Sequence, residues 1–313
     1  IQFTETIANS YYNKILKTDK DYCIYTDTDS VFYSALPLVK NRFPNADVKD
    51  DKFMTEQILE IAGEVQNYIN KSYNYFSSKF LNIRGDHRFE IKQEMIAKSA
   101  FWVTKKRYGQ WIINDGGLEV EKLDVKGLDI VRSSFPPAFR DFMTKVLKAI
   151  LAKVPKEKID EFILNFKSNL QNEELDKIAL PTGVKGITKY IDKPKGGFQS
   201  KTMFTPMKKG APVHTKASVI YNDLLRHFKA INHEPISNGN KVRWVYLKTN
   251  PYNIDGIAYK GYDDPKQVID FINQYVDRDK LFDKALSKKI KMFYDAMSWD
   301  MPVEKKNTIE KFF

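Results

Sequence analysis

The stretch Tyr25-Thr26-Asp27-Thr28-Asp29-Ser30-Val31 decides how this chain is read. The residues before its acidic core (22–25) and after it (31–34) are mostly aromatic or β-branched, which predicts the two strands of a hairpin. In extended backbone, side chains two apart share a face, so Asp27 and Asp29 are expected on one side and Thr28 on the other. Two carboxylates about 6 Å apart repel by about 3 kcal/mol at an effective dielectric of about 20. A bound cation relieves that repulsion. An all-oxygen donor set without His or Cys favours Mg²⁺, or Mn²⁺, over zinc. A solvated turn would use the same two aspartates, so the surrounding string has to decide.

That string, Tyr25-Thr-Asp27-Thr-Asp29-Ser30, resembles the Y-x-D-T-D-S signature of family B DNA polymerases. From Ile1 to Phe313 the chain is similar, in order, to the C-terminal third of the replicative polymerases of T-even-like bacteriophages. Thr26 stands where the family more often has Gly, which should stiffen the strand. The resemblance implies an α+β fold: an antiparallel palm sheet with covering helices over 1–135, then a mainly helical thumb over 136–296 and a tail over 297–313. It also implies DNA-directed nucleotidyl transfer, in which a primer 3′-hydroxyl attacks the α-phosphate of a deoxynucleoside triphosphate and expels pyrophosphate. Two Mg²⁺ ions would assist, with Asp29 as the main ligand and catalytic carboxylate from this chain and Asp27 as its weaker partner.

Composition agrees with such a role. The 313 residues are enough for a real core and two domains, and 42% of them are hydrophobic. No apolar run approaches the ~18 residues of a membrane span. Cys23 is the one cysteine, which excludes an intramolecular disulfide and suits a reducing cytoplasm, that of a host cell if the chain is phage-encoded. Lys and Arg outnumber Asp and Glu by 51 to 40, a net +11 that suits a polyanion such as DNA.

Along the chain, Ile7, Tyr11, Ile15 and Leu16 recur at helical spacing, so residues 1–17 read as an amphipathic helix feeding the hairpin. Residues 51–80 read as a long core helix, 88–96 and 99–104 as strands, and Arg84-Gly85-Asp86 as a turn. Lys105-Lys106-Arg107-Tyr108 follows and resembles the K-K-x-Y element of family B palms, which holds the primer strand. On a strand, Lys105 and Arg107 would face one way and Lys106 and Tyr108 the other. After a strand at 118–123, the stretch 126–134 matches the family's palm–thumb border. Lys126 and Arg132 are its candidate phosphate ligands, and Ser133 or Ser134 either joins them or caps the next helix.

Helices are expected at 139–153, 156–170, 214–228, 265–276 and 279–293, with a small hairpin formed by 242–247 and 257–259. Residues 181–216 interrupt the pattern with eight lysines against one aspartate, which suits a loop that tracks a primer–template duplex. Lys201, Lys208 and Lys209 are its candidate DNA contacts, and Phe198, Met203, Phe204 and Met207 are anchors that a plain linker would lack. At the C-terminus, Ile309, Phe312 and Phe313 fall on one side of a helical turn and resemble a sliding-clamp-binding peptide. The leading Gln of such peptides is absent, with Lys306 in its place.

The chain opens on Ile1 rather than Met and carries no exonuclease motifs, no fingers and no first palm carboxylate. Activity is therefore expected to need an N-terminal polymerase portion. The alternative from another class is a non-catalytic duplex-binding and clamp-tethering module. A metal-dependent nuclease would draw on Asp19, Asp21, Glu90 and Glu94, which form no recognisable nuclease pattern.

Overall fold

The computed structural model describes residues 1–192 and 203–303. The fold is α+β with every strand pair antiparallel. The chain divides into two compact units, Ile1–Lys126 and Gly127–Phe313.

In the first unit, helix α1 (Gln2–Leu16) leads to strands β1 (Cys23–Asp27) and β2 (Ser30–Tyr33), then to α2 (Leu36–Arg42) and α3 (Asp51–Phe80). Three further strands follow: β3 (Met95–Thr104), β4 (Arg107–Asp115) and β5 (Leu118–Lys126). Asp50 starts α3 by accepting a bond from the Phe53 amide at 3.0 Å. One stripe of that helix, through Met54, Ile61, Ile69 and Tyr73, is buried against Ala8, Tyr12, Leu38 and Val39. Polar bonds fix the angle between the helices. The Tyr11 hydroxyl donates to Glu64 at 2.7 Å, and the Thr4 and Tyr73 hydroxyls share a 2.7 Å bond.

This frame carries the hairpin. Tyr12 packs its ring on Tyr22 and Tyr33 at 5.1 and 5.4 Å, and the Tyr33 hydroxyl donates to the Glu5 carbonyl at 2.9 Å. Strands β1 and β2 form a two-stranded sheet, separate from the β3–β4–β5 meander.

One strand expectation fails. Of the stretch 88–96, only Met95 and Ile96 enter a strand, at the start of β3. The residues before them run beside α3, where amide side chains replace a neighbouring strand. Asn70 bonds both the amide of Ile91 (2.8 Å) and its carbonyl (3.0 Å), and Gln66 accepts from the Gln93 amide at 2.8 Å. The alternating pattern identified a peptide that needed partners, and a helix supplies them.

After a 3-10 turn, Asp129–Val131, the second unit continues with α4 (Pro137–Leu151) and α5 (Lys156–Asn169), joined by stacking of Phe142 on Phe166 at 4.0 Å and on Phe162 at 5.2 Å. Helix α4 starts after Pro136 without a side-chain cap, so Ser133 and Ser134 do not serve there. Short helix α6 (Leu175–Ile178) precedes β6 (Leu180–Gly183) and α7 (Ile187–Tyr190). Helix α8 (Val213–His227) follows, with β7 (Lys241–Tyr246) and β8 (Gly256–Tyr259). The expected hairpin is thus a three-stranded sheet, because β6 adds to β7 with Leu180 opposite Trp244. Helix α8 packs on β8, whose four residues are all buried. After α9 (Lys266–Tyr275), the last expected helix is α10 (Arg278–Leu281) and α11 (Lys288–Ala296), joined by a π-helical stretch, Phe282–Ser287.

Leu147 is fully buried on α4 among Phe139, Phe142 and Val146, which are equally hidden. Leu147→Ala should destabilise the second unit by about 2–5 kcal/mol through lost burial and a residual cavity. A lower urea midpoint with an unchanged slope is the expected result in circular dichroism.

Candidate metal and nucleic-acid site

Two hairpin tips meet in the first unit. The first joins β1 to β2 by a two-residue turn, Thr28-Asp29, with Asp27 paired to Ser30. Strand β1 ends at Asp27, so the strand alternation expected to put Asp27 and Asp29 on one face does not extend to Asp29. Thr28 has φ 41°, the left-handed region that a β-branched residue resists. The Thr28 hydroxyl bonds the Asp27 carboxylate at 3.1 Å, and the Ser30 hydroxyl bonds the Asp27 carbonyl at 3.1 Å. Asp27 is half-buried, whereas Asp29 stands exposed at the tip.

The second tip joins β3 to β4 by Lys105-Lys106, with Thr104 paired to Arg107. The Lys105–Tyr108 element is therefore half turn and half strand rather than one strand. Lys106 has φ 62°, again left-handed, at a cost of about 1–2 kcal/mol for a residue with a Cβ. What holds it there is the other tip. The Lys106 amide donates to the Tyr25 hydroxyl at 2.9 Å, and its ammonium bonds the Asp27 carboxylate. That ammonium also lies 3.5 Å from the Thr28 hydroxyl.

Beneath these polar contacts lie four rings from both hairpins. Tyr25 lies 5.7 Å from Phe32 and 5.7 Å from Tyr108, and Trp102 lies 5.8 Å from Phe32 and 5.9 Å from Tyr108. Edge and tilted ring pairs of this kind each add about 0.5–1.5 kcal/mol beyond the area they bury. Tyr108, a candidate DNA contact, is itself nearly buried, so its ring belongs to this packing. Register places Lys126 opposite Tyr108, and Lys126 pairs with Asp124 at 3.3 Å. Lys105 is exposed at the tip and lines an open cleft with Trp102, Tyr25 and Cys23. Arg107 opens β4.

Electrostatics follow from the ion pair. Lys106 holds the Asp27 carboxyl below its usual range, aided by the Thr28 hydroxyl and opposed by desolvation. Asp27 in turn raises Lys106. The tip is built to hold positive charge on Asp27, which an ammonium supplies here. Hard carboxylate oxygens on Asp27 and Asp29 fit Mg²⁺ by donor type. Among the described residues, no group of three or more His, Cys, Asp or Glu side chains converges, so two carboxylates are what this tip offers a metal.

The remaining candidates lie in the second unit or outside the described residues. Arg132 pairs with Asp129 at 3.3 Å, and Lys289 holds the other oxygen of that carboxylate at 2.7 Å. In the basic segment, Ile191 bridges Met207, and the Lys208 amide donates to the Tyr190 carbonyl at 2.8 Å. The Lys208 ammonium reaches the Lys189 carbonyl at 3.0 Å, and Lys209 is exposed. Buried Asp223 on α8 moors the same segment by accepting from the Thr205 amide (2.7 Å) and hydroxyl (2.9 Å) and by pairing with Arg226. Residues 181–216 are thus largely tied down where described, with β6 and α7 among them. Lys201, Phe198, Ile309, Phe312 and Phe313 lie outside the described residues.

A family model for DNA polymerase family B matches residues 2–296. The chain belongs to DNA polymerase family B. Its members are DNA-directed DNA polymerases, so the family brings a DNA template and a nucleotidyltransferase chemistry to the chain. No curated protein matches it. None of the described helices is long and apolar enough to cross a membrane.

Within this family B chain, sequence reading missed the ion pair, the Tyr25 hydroxyl as an acceptor and the ring cluster. The rings carried a signal, since Tyr25, Phe32, Trp102 and Tyr108 are large aromatics within three residues of two-residue turns. The ion pair carried none, because Lys-Lys is a poor turn sequence.

The depressed Asp27 carboxyl fixes a pH dependence. The contact to Lys106 is present above the ordinary aspartate value of about 3.9 and is lost as pH falls through the lowered folded value. In ¹³C NMR, the Asp27 carboxyl should titrate below an ordinary aspartate, and Lys106→Met should move its midpoint up. An Asp27 midpoint indifferent to that change would show that no ion pair forms in solution.

Proposed function

We propose that this chain supplies the paired metal-binding carboxylates and the primer–template grip of a family B DNA polymerase of the T-even-phage type. In this reading residues 1–135 are the C-terminal part of the palm, 136–296 the thumb, and 297–313 a tail whose Ile309, Phe312 and Phe313 engage a sliding clamp. The observation that carries it is the meeting of the two tips. One bears Asp27 and Asp29, the other Lys105 and Lys106, and the ring cluster fixes both. A carboxylate pair beside a basic tip is what nucleotidyl transfer at a primer end requires, with acid for metal and base for phosphate.

Asp29, exposed at its tip, and Asp27 behind it would hold the divalent ions. When bound, these ions supply Lewis-acid activation of the primer hydroxyl and charge neutralisation at the departing pyrophosphate. This chain's own residues orient the reactants. Lys105, Lys106 and Arg107 contact the nucleic acid, Tyr25 and Tyr108 stiffen the platform, and Lys126, Arg132, Lys201, Lys208 and Lys209 extend the grip along the duplex. A third carboxylate and a triphosphate-binding surface would come from an N-terminal polymerase portion, working in the cytoplasm of the host cell. Strands β1 and β3, each paired on one side only among the described residues, suit docking of such a partner.

The decisive experiment reconstitutes the polymerase with an N-terminal portion. Asp29→Ala should lower nucleotide addition by on the order of a thousandfold or more, the equivalent of several kcal/mol of transition-state stabilisation. Primer–template affinity should stay within about twofold, because the metal site acts in the transition state. Extension that survives Asp29→Ala would leave a duplex-binding, clamp-tethering module as the better description.

Grip is tested separately by salt. The log–log slope of duplex affinity against salt is about 0.9 per phosphate neutralised. Replacing Lys106, Lys208 and Lys209 together by Gln should flatten it by up to about 2.7. An unchanged slope would make these lysines ordinary solvated surface.

A further inference from the structure

Lys106 is assigned two partners that it cannot serve at once. Without nucleic acid its ammonium lies on one oxygen of the Asp27 carboxylate, a group that the proposed function gives to a divalent ion. In the proposed function the same ammonium belongs to the duplex. The backbone beneath it does not share this conflict. Its amide stays bonded to the Tyr25 hydroxyl at 2.9 Å, and the ring cluster fixes the tip on which it sits. The flexible four-carbon stem can therefore leave Asp27 while the tip stays in place. The side chain is more than half exposed (59%), so little packing resists that swing.

We propose that Lys106 is a cation switch that couples metal binding to duplex binding. With duplex absent, the ammonium occupies Asp27 and lowers the affinity of that carboxylate for a divalent ion. When a duplex engages the basic tip, the ammonium moves to a nucleic-acid acceptor and Asp27 becomes available. Metal and duplex then favour one another by the same factor, since linkage between two binding events is reciprocal. The device deters a metal-loaded carboxylate pair in the absence of a primer. It rests on the reading of Asp27 and Asp29 as metal ligands.

The test uses Mn²⁺ binding to the full chain without nucleic acid, read by electron paramagnetic resonance. Lys106→Met and Lys106→Gln should each tighten Mn²⁺ by about three- to fivefold, the scale of one exposed ion pair. Lys105→Met removes the same charge from the same tip and should change it by less than about 1.5-fold, since nothing ties Lys105 to Asp27. Reciprocally, Asp27→Asn should tighten duplex binding about threefold, and Lys106→Met should abolish that gain in a double-mutant cycle. Equal effects of the Lys105 and Lys106 changes would reduce the switch to a general field and overturn it. Tight Mn²⁺ binding lost in Asp27→Asn but indifferent to Lys106 would overturn the switch while sparing the metal site. Mn²⁺ binding indifferent to both Asp27→Asn and Asp29→Asn would overturn the metal assignment, and the switch with it.

Discussion

A two-stranded hairpin is at best marginally stable in water, and β1–β2 is one. What makes it a fixed platform is the apolar contact of Tyr25 and Phe32 with Trp102 and Tyr108. The rings sit on paired strand residues, Tyr25 opposite Phe32 and Trp102 opposite Tyr108, so the contact joins the two hairpins just behind their turns. Both charged tips inherit their positions from it. The ion pair between Lys106 and Asp27 would contribute little by itself at this exposure. On a floor of packed rings its geometry is set, and that geometry gives the two charges a chemical meaning. The opposite face of the hairpin is held differently, by Tyr12 on α1 and by the bond of Tyr33 to the Glu5 carbonyl.

Much of the fold was legible because it rests on local periodicity. The 30-residue α3 falls where the apolar stripe predicted it. The helices of the second unit follow in order for the same reason. Elements that depend on distant partners were harder to read. The 88–94 peptide has strand-like alternation, but Asn70 and Gln66, about twenty and twenty-seven residues back, complete its hydrogen bonds. Strand β6 lay hidden in a lysine-rich stretch because its pairing with β7 spans some sixty residues.

At the candidate site the residue types were legible and their arrangement was not. Asp27 and Lys106 are separated by 79 residues, and no local rule joins them. Asp27 and Asp29 would share a face only with extended backbone through Thr28, where the chain instead turns. The basic segment shows the same division. Its charge could be counted in advance, whereas its mooring depends on Asp223 from the next helix and on Met207 meeting Ile191.

The left-handed backbone at Lys106 has a consequence for how this position can vary. Residues at ease with φ 62°, Gly above all and then Asn, carry no cation. Residues that carry a cation are uncomfortable in that backbone. No amino acid satisfies both demands, so any replacement that relaxes the turn surrenders the charge and any that keeps the charge keeps the strain. Arg would retain both strain and charge, but its planar fork binds carboxylate by two bonds and releases it less readily than an ammonium does. Single substitutions therefore meet opposed pressures at position 106. A chain that kept the charge without the strain would first have to rebuild the turn that carries it.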